Sequence, residues 1–493
     1  MFLLRINTFL FALDIITNLK PKKYSTGNQG KRKNMYESID FSALAKHSKP
    51  GPRYTSYPTA NEFHKDFNAT TLLESFNRAD SKYRDKDLSL YTHLPFCKSA
   101  CYFCGCNVIY TSKEDKKERY IKYLEKELAL LKDSMDTKRK VAQFHFGGGT
   151  PTFFDAKQLQ TITQMIRHTF PNFSESCEIS CEIDPRHFSE DQMRVLKDCG
   201  FNRISFGVQD FDDKVQQHIN RIQPFSLVES SVALARKYGI DSINFDLIYG
   251  LPYQSEKSFA NTLESVIKLS PERLAIFNYA HVPWVKKSMR KIDETTLPSP
   301  EEKLKILQNT IEFLHANDYE MIGMDHFAKK SDSLSIAKNK GELRRNFQGY
   351  TTKGFSQTIG IGLTSIGEGV DYYTQNHKDM MSYENSLDNN TLPVAQGILL
   401  SPEDILRKEV IMSLMNNAKL DFKAINESFG IDCITHFSSE FESLKSMCEL
   451  GLLTIDSNSI QVSAMGKMLI RNIAMVFDTY LVKNITKQFS KTI

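Results

Sequence analysis

Cys97, Cys101 and Cys104 fall within eight residues, in His93-Leu-Pro-Phe-Cys97-Lys-Ser-Ala-Cys101-Tyr-Phe-Cys104-Gly-Cys106. Three thiolates at this Cys-x3-Cys-x2-Cys spacing can grip three irons of an iron–sulfur cube and leave the fourth iron without a protein ligand. An open iron is a place where something can bind and react, whereas an electron-transfer cluster is closed by a fourth cysteine. Structural zinc usually takes two separated Cys-x2-Cys pairs, or Cys and His pairs, and no second pair follows here. Four of the nine cysteines lie in ten residues, which argues against chance. Cys106 could be a fourth ligand. Only one residue separates it from Cys104, so the chain would have to bend sharply to reach another corner. It reads as a neighbour of the site.

Such a loop needs a scaffold. From Leu88 the chain alternates short apolar runs with longer amphipathic ones. The runs predict strands over Leu88–Leu94, Val141–Phe146, Cys177–Ile183, Asn202–Val208, Ile240–Tyr249 and Arg273–Tyr279, with a seventh over Tyr319–Met324. Helices fit Lys116–Lys132, Asp155–Thr169, Ser189–Asp198, Ser226–Tyr238, Glu256–Leu269 and Pro300–His315. This alternation means parallel strands with right-handed crossovers. Six or seven such units suit a barrel or a partly open barrel, with a flat doubly wound sheet as the alternative.

In a barrel, chemistry sits at the carboxyl ends of the strands. The cysteine loop follows the first strand, and Gly147-Gly148-Gly149-Thr150-Pro151 follows the second. Glu182 and Asp184 end the third, Gln209 and Asp210 the fourth. Asp246 lies in the fifth, and Asn278, Ala280 and His281 end the sixth. Any one of these could merely form a turn; their repeated position favours a shared site. The glycine run lacks dinucleotide-fold spacing, and its functional reading is close backbone approach to a small cofactor.

The 493 residues allow two or three domains, and 41% hydrophobic with 25% charged residues is ordinary globular composition. A net charge of +4 gives no case for nucleic acid. Few, clustered cysteines point to a reducing compartment without a disulfide framework. Residues 1–34 differ from the rest: an interrupted apolar stretch, then a basic tail. They predict an extension outside the fold, with Met35 as a working start and a targeting helix as the rival. Residues 35–87 read as an amino-terminal arm over the active site, with Tyr54 and Tyr57 of Gly51–Ala60 as aromatic faces that would cover a flat ligand, 88–380 as the barrel domain and 381–493 as a mainly helical domain. The last has a hairpin near Leu452–Val462 and a helix over Gly466–Tyr480. Its helix–helix–strand-pair order also suits a winged helix, but without a basic stripe it reads as a cap.

The cysteine spacing, with Phe103 as its aromatic filler, resembles the radical S-adenosylmethionine enzymes. More narrowly, the chain from Gly51 onward is similar to the oxygen-independent coproporphyrinogen III oxidase family of haem synthesis. The likeness is carried by Gly51-Pro-Arg-Tyr-Thr-Ser-Tyr-Pro-Thr-Ala60, by the cysteine loop through Asn107 and by Gly147-Gly-Gly-Thr-Pro-Thr152. Further matches are Glu182-Ile-Asp-Pro-Arg186, Phe206-Gly-Val-Gln-Asp-Phe211 and Phe277-Asn-Tyr-Ala-His281. Gly323-Met-Asp-His-Phe327 and Arg345-Asn-Phe-Gln-Gly-Tyr-Thr-Thr352 complete the set.

The resemblance implies an incomplete (β/α)6 barrel with an amino-terminal arm and a carboxyl-terminal helical domain. It implies one 4Fe–4S cluster on Cys97, Cys101 and Cys104, and two S-adenosylmethionine molecules. Tyr91, Gly148 and Glu182 would contact the first. Phe103, Gly149, Thr150, Gln209, Arg221, Asp246, Ala280 and Ile366 would line the second or its border. Tyr91, Cys106 and Glu182 are the catalytic candidates, Cys106 without a cluster bond. The implied reaction converts two propionate arms of coproporphyrinogen III to vinyl groups, giving protoporphyrinogen IX. Arg53 is a candidate partner for a propionate. The expected protein is a cytoplasmic monomer with no membrane span, served by an unidentified electron donor and acceptor. The alternatives are a haem-binding chaperone of the same superfamily and a zinc-stabilised structural or nucleic-acid protein.

Overall fold

The apolar runs assemble into one twelve-stranded sheet. This structure, a computed structural model, describes residues 46–483 except 48 and 355. The 1–34 extension and the first part of the arm lie outside the described residues. Strands β1 (Leu88–Leu94), β2 (Val141–Gly148), β3 (Phe173–Ile183), β4 (Arg203–Gln209), β5 (Ser242–Tyr249) and β6 (Arg273–Asn278) run parallel in chain order. Most of their residues are buried, as parallel strands covered by helices must be.

Helix α1 (Ala69–Lys82) precedes the barrel. The crossovers contain α2 (Glu114–Ser134), α3 (Ala156–Thr169), α4 (Glu190–Asp198), α5 (Phe225–Lys237) and α6 (Glu256–Leu269), and α7 (Pro300–Ala316) follows β6. Their starts are written in the sequence. Asp155, Ser189 and Ser255 close capping boxes on α3, α4 and α6. Ser299 caps α7, with Pro300 in its first turn.

Two extensions complete the sheet. At one edge β7 (Tyr319–Gly323) and β8 (His326–Lys329) form a hairpin, and β8 pairs antiparallel with β6. The seventh strand expected from sequence therefore exists but is not a further parallel unit. Two residues, Met324 and Asp325, separate the hairpin strands, which is too short for a crossover. After the hairpin β9 (Arg344–Asn346) and β10 (Gly349–Thr351), strand β11 (Gln357–Ile361) lies parallel to β1 on the side away from β2. Then β12 (Ile366–Glu368), β13 (Tyr372–Asn376) and β14 (Val394–Leu399) continue antiparallel. The sheet thus runs past residue 380 to Leu399, because β14 pairs with β13 across α8 (Met380–Asp388). The sheet ends at β14 and β7 and does not close on itself, so the barrel is open; on the β14 side only His64 bridges, at Gly397, among the described residues.

Beyond it, α9 (Pro402–Asn417) opens the mainly helical region. The expected hairpin is present as Leu453–Ile455 against Ser459–Val462. The helix expected over Gly466–Tyr480 is instead broken into Ala464–Met468, Ile470–Ala474, a 3-10 turn at Met475–Phe477 and Thr479–Lys483.

The arm packs into the core. Tyr54 and Tyr57 are 1% and 0% exposed. The Tyr54 hydroxyl donates to Asp478 at 2.8 Å, and Tyr57 meets Thr479 at 3.2 Å. The arm's two aromatic faces are therefore spent on the carboxyl-terminal region, so they are not surfaces that cover a ligand. Arg53 does reach the barrel mouth, where its guanidinium pairs with Asp325 at 3.0 Å.

Candidate active site

A cavity of about 1350 Å³ opens at the carboxyl ends of β1–β6. Cys97, Cys101, Cys104 and Cys106 all line it. Their loop is pinned at its root by a short parallel pairing of Phe96 and Cys97 with Ile109 and Tyr110. Asn220 donates to the Ala100 carbonyl at 2.7 Å, and Lys286 to the Cys106 carbonyl at 2.9 Å. A loop fixed at base and tip presents its thiols with little freedom. Among the described residues, no three His, Cys, Asp or Glu side chains converge on a single ion position. Three thiols of one loop on one cavity wall suit a cluster, where each takes a separate iron. Burial pushes the Cys97 thiol up to about 12. The Cys106 thiol hydrogen-bonds Cys104, lowering Cys104 to about 6 while Cys106 itself rises.

Cations stand behind Cys101. Arg186 lies 3.5 Å and Arg221 3.6 Å from its sulfur. Both also bind Asp184, at 2.7 Å and 3.0 Å. Burial alone would raise the Asp184 carboxyl, but Arg221 and Arg186 hold it at about 2. Positive groups beside thiolates favour their charged, metal-binding form. Sequence reasoning gave Arg186 no role. The only local signal is its place two residues after Asp184, whose carboxylate accepts from its backbone N–H at 3.1 Å.

The glycine run serves close approach, largely to protein. Gly148 has φ +123°, and a Cβ there would lie 2.9 Å from the backbone of Leu94. One on Gly149 would lie 2.8 Å from the carbonyls of Pro95 and Phe96. The run packs on the root of the cysteine loop, and Thr150 reaches Cys97 at 3.3 Å. Gly148 N–H donates to Glu182 at 3.2 Å, and His145 meets the other Glu182 oxygen at 3.3 Å. His145, which sequence reasoning missed, also stacks on Tyr91 with centroids 5.9 Å apart. The Tyr91 hydroxyl meets His93 at 3.1 Å. Gly148, Gly149, Thr150 and Glu182 line the cavity, but Tyr91 is not part of its wall.

Phe103, Gln209, Arg221, Asp246 and Ala280 also line the cavity. Gln209 holds φ +68° where β4 bulges against β5. A bulge and a left-handed non-glycine residue at a strand end commonly re-aim a functional side chain. Asp246 accepts from Ser205 at 3.0 Å and Asn244 at 2.8 Å. Burial, then the nearby Glu182 charge, raises it to about 6. Asn278 and His281 are on the wall too, and the Asn278 amide oxygen is buried without a partner. Two residues lie elsewhere. Asp210 is buried off the cavity, accepting from Gln254, Thr262 and Asp212 N–H, and is a structural turn residue. Ile366 packs by the Phe63–Tyr373 cluster at the sheet edge and does not line the cavity.

Comparison with known proteins agrees with this geometry. Residues 91–266 match the Radical SAM superfamily and 400–469 the HemN C-terminal domain. The oxygen-independent coproporphyrinogen III oxidase of Helicobacter pylori strain J99 is 62% identical over 93% of this chain and 100% of its own length. The Escherichia coli K12 protein of that name is 43% identical over 92% of this chain and 98% of its own. The solved structure of coproporphyrinogen III oxidase (HemN) from Escherichia coli, a radical SAM enzyme, superposes with a TM-score of 0.85 at 42% identity. It covers 90% of this chain and 100% of that one. With full-length relatives at this identity and both regions matched, the chain belongs to the oxygen-independent coproporphyrinogen III oxidase family of radical SAM enzymes.

Proposed function

We propose that this chain decarboxylates two propionate arms of coproporphyrinogen III to vinyl groups without oxygen, giving protoporphyrinogen IX for haem synthesis. The observation that carries the reading is the cavity in which three loop cysteines face Glu182, Gln209 and Asp246. Its size, about 1350 Å³, exceeds the roughly 300–1,000 Å³ of an ordinary ligand pocket and leaves room for a large substrate beside a cofactor.

A saturated C–H bond next to a pyrrole has no useful acidity, so a general base cannot take that hydrogen as a proton. The 4Fe–4S cluster and S-adenosylmethionine, when bound, supply a carbon radical that removes it as an atom. The protein positions, shields and tunes. Cys97, Cys101 and Cys104 hold the cluster, and Arg186 and Arg221 offset thiolate charge at Cys101. Gly148 and Glu182, already hydrogen-bonded to each other, form the first cofactor contact, with Tyr91 behind them through His145. Phe103, Gly149, Thr150, Gln209, Arg221, Asp246 and Ala280 border a second cofactor position; Ile366 keeps its assignment by resemblance alone. The chain works as a monomer in the cytoplasm and exchanges electrons with a separate donor and acceptor. No described helix is long and apolar enough to cross a membrane.

The test is anaerobic reconstitution with iron and sulfide, then reaction with S-adenosylmethionine, a reductant, a one-electron acceptor and coproporphyrinogen III. Protoporphyrinogen IX with two carbon dioxides per substrate is the expected product. Cluster-loaded protein that leaves coproporphyrinogen untouched yet binds haem stoichiometrically would favour the chaperone reading.

A further inference from the structure

We propose that Lys303 is the carboxylate anchor of the tetrapyrrole and that Trp284 and Val285 form the apolar lip against which its pyrrole face rests. This rests on the proposed function and names how that substrate is held.

Five Lys and Arg residues line the cavity: Arg53, Lys98, Arg186, Arg221 and Lys303. Arg186 and Arg221 are committed to Asp184, and Arg53 to Asp325. Lys98 is exposed on the cysteine loop. Lys303, in the first turn of α7, is half-buried, and its ammonium donates to a neutral group, the Tyr279 carbonyl, at 3.3 Å. Burial lowers its affinity for a proton, and no carboxylate offsets this. Such an ammonium is an unfilled half of an ion pair, worth more than a surface one once the site is closed to water.

Its position is built. Gly250, at the exit of β5, has φ +87°, and a Cβ there would lie 2.7 Å from Lys303 Cε. The lysine stem crosses the strand end in the space a side chain would take. Around it the wall is apolar, with Ile248, Phe277, Met289 and Leu307. Asn278 on the same wall carries the orphaned amide oxygen, an acceptor that a pyrrole N–H can satisfy.

Trp284 and Val285 complete the match. Each is 64% exposed, and both line the cavity rim. Adjacent large apolar residues left open at the mouth of a cavity mark a contact site. A macrocycle bearing carboxylates and N–H groups fits this apolar, partly aromatic stretch of the wall, with Lys303 as the cation for a carboxylate and Asn278 as the acceptor for an N–H.

The chain has one tryptophan, so Trp284 is its own reporter. The holoenzyme is titrated anaerobically with coproporphyrinogen III, following Trp284 fluorescence, and in parallel with a carboxylate-free octaalkyl porphyrinogen. In the wild type both quench the signal. Lys303→Met should weaken coproporphyrinogen III at least tenfold, leave the carboxylate-free macrocycle unchanged, and keep S-adenosylmethionine binding. Lys303→Arg should recover most of the loss. Equal weakening for both macrocycles would show a structural role and overturn the anchor. Wild-type affinity in Lys303→Met would do the same. Unquenched Trp284 in an enzyme that still decarboxylates would overturn the lip alone. A wild-type holoenzyme that neither quenches nor decarboxylates would take the proposed function down with it.

Discussion

An iron-bound thiolate needs its charge offset and its geometry fixed, and the cysteines differ in how they meet that need. Cys101 is buried with two guanidinium groups near its sulfur, Cys97 leans on Thr150, and Cys104 on Cys106. Replacing Cys97, Cys101 or Cys104 with serine should each abolish the iron–sulfur absorbance after anaerobic reconstitution, since a hydroxyl is a far poorer iron ligand than a thiolate. Cys106→Ser should keep the chromophore, because its loss removes a hydrogen bond to Cys104 and no iron bond. Equal iron loss in Cys106→Ser and Cys97→Ser would make Cys106 a ligand. These cysteines and the strand-end residues were legible because their types and spacing are local. Arg186, His145 and Lys303 were not. Their meaning lies in partners far along the chain, such as Cys101 for Arg186, 85 residues away.

At the scale of elements, β1 and α6 match their sequence readings residue for residue, because a short apolar run marks the strand and a capping serine marks the helix. The strand β11 was invisible. Its run Gln-Thr-Ile-Gly-Ile is short and contains glycine, and its partner β1 lies more than 250 residues upstream. Likewise periodicity announces the strand β7 but carries no direction, so its antiparallel pairing emerged only with the hairpin. What secures β11 beside β1 is Glu127 on α2. Its buried carboxylate accepts from Gly362 N–H at 2.7 Å, Asn376 at 2.7 Å and Tyr383 at 2.6 Å. Burial raises Glu127 to about 7, against the pull of those donors. A folded-state value above the ordinary 4.5 means that this group's stabilisation is full below about 4.5 and is lost as pH rises through about 7. Glu127→Gln cannot titrate and places an amide among donors, costing about 1–3 kcal/mol. The gap in melting temperature between wild type and Glu127→Gln should therefore narrow from pH 5 to pH 8. A constant gap would show that Glu127 stays ionised throughout.

Across the whole molecule, the two ends of the described chain hold each other. Tyr54 and Asp478 bond over 424 residues of sequence, and Arg471 donates to the carbonyls of Pro52 and Gly51. One continuous core joins Tyr54 and Tyr57 to the barrel strands. Removing the arm would therefore strip the core, and a deletion could not separate substrate binding from folding. Point changes can. Tyr54→Ala empties a fully buried ring site and should cost about 4 kcal/mol. Tyr54→Phe keeps the ring but takes the hydroxyl donor from Asp478, whose burial already disfavours its charge, and should cost about 1–3 kcal/mol. Urea unfolding of the apo chain should rank stability as wild type, then Tyr54→Phe, then Tyr54→Ala. The KM for coproporphyrinogen III should stay near the wild-type value in the Tyr54→Phe holoenzyme. If Tyr54→Ala unfolds at the wild-type urea concentration while the KM rises, the arm is a lid over the substrate and not an anchor between the two ends.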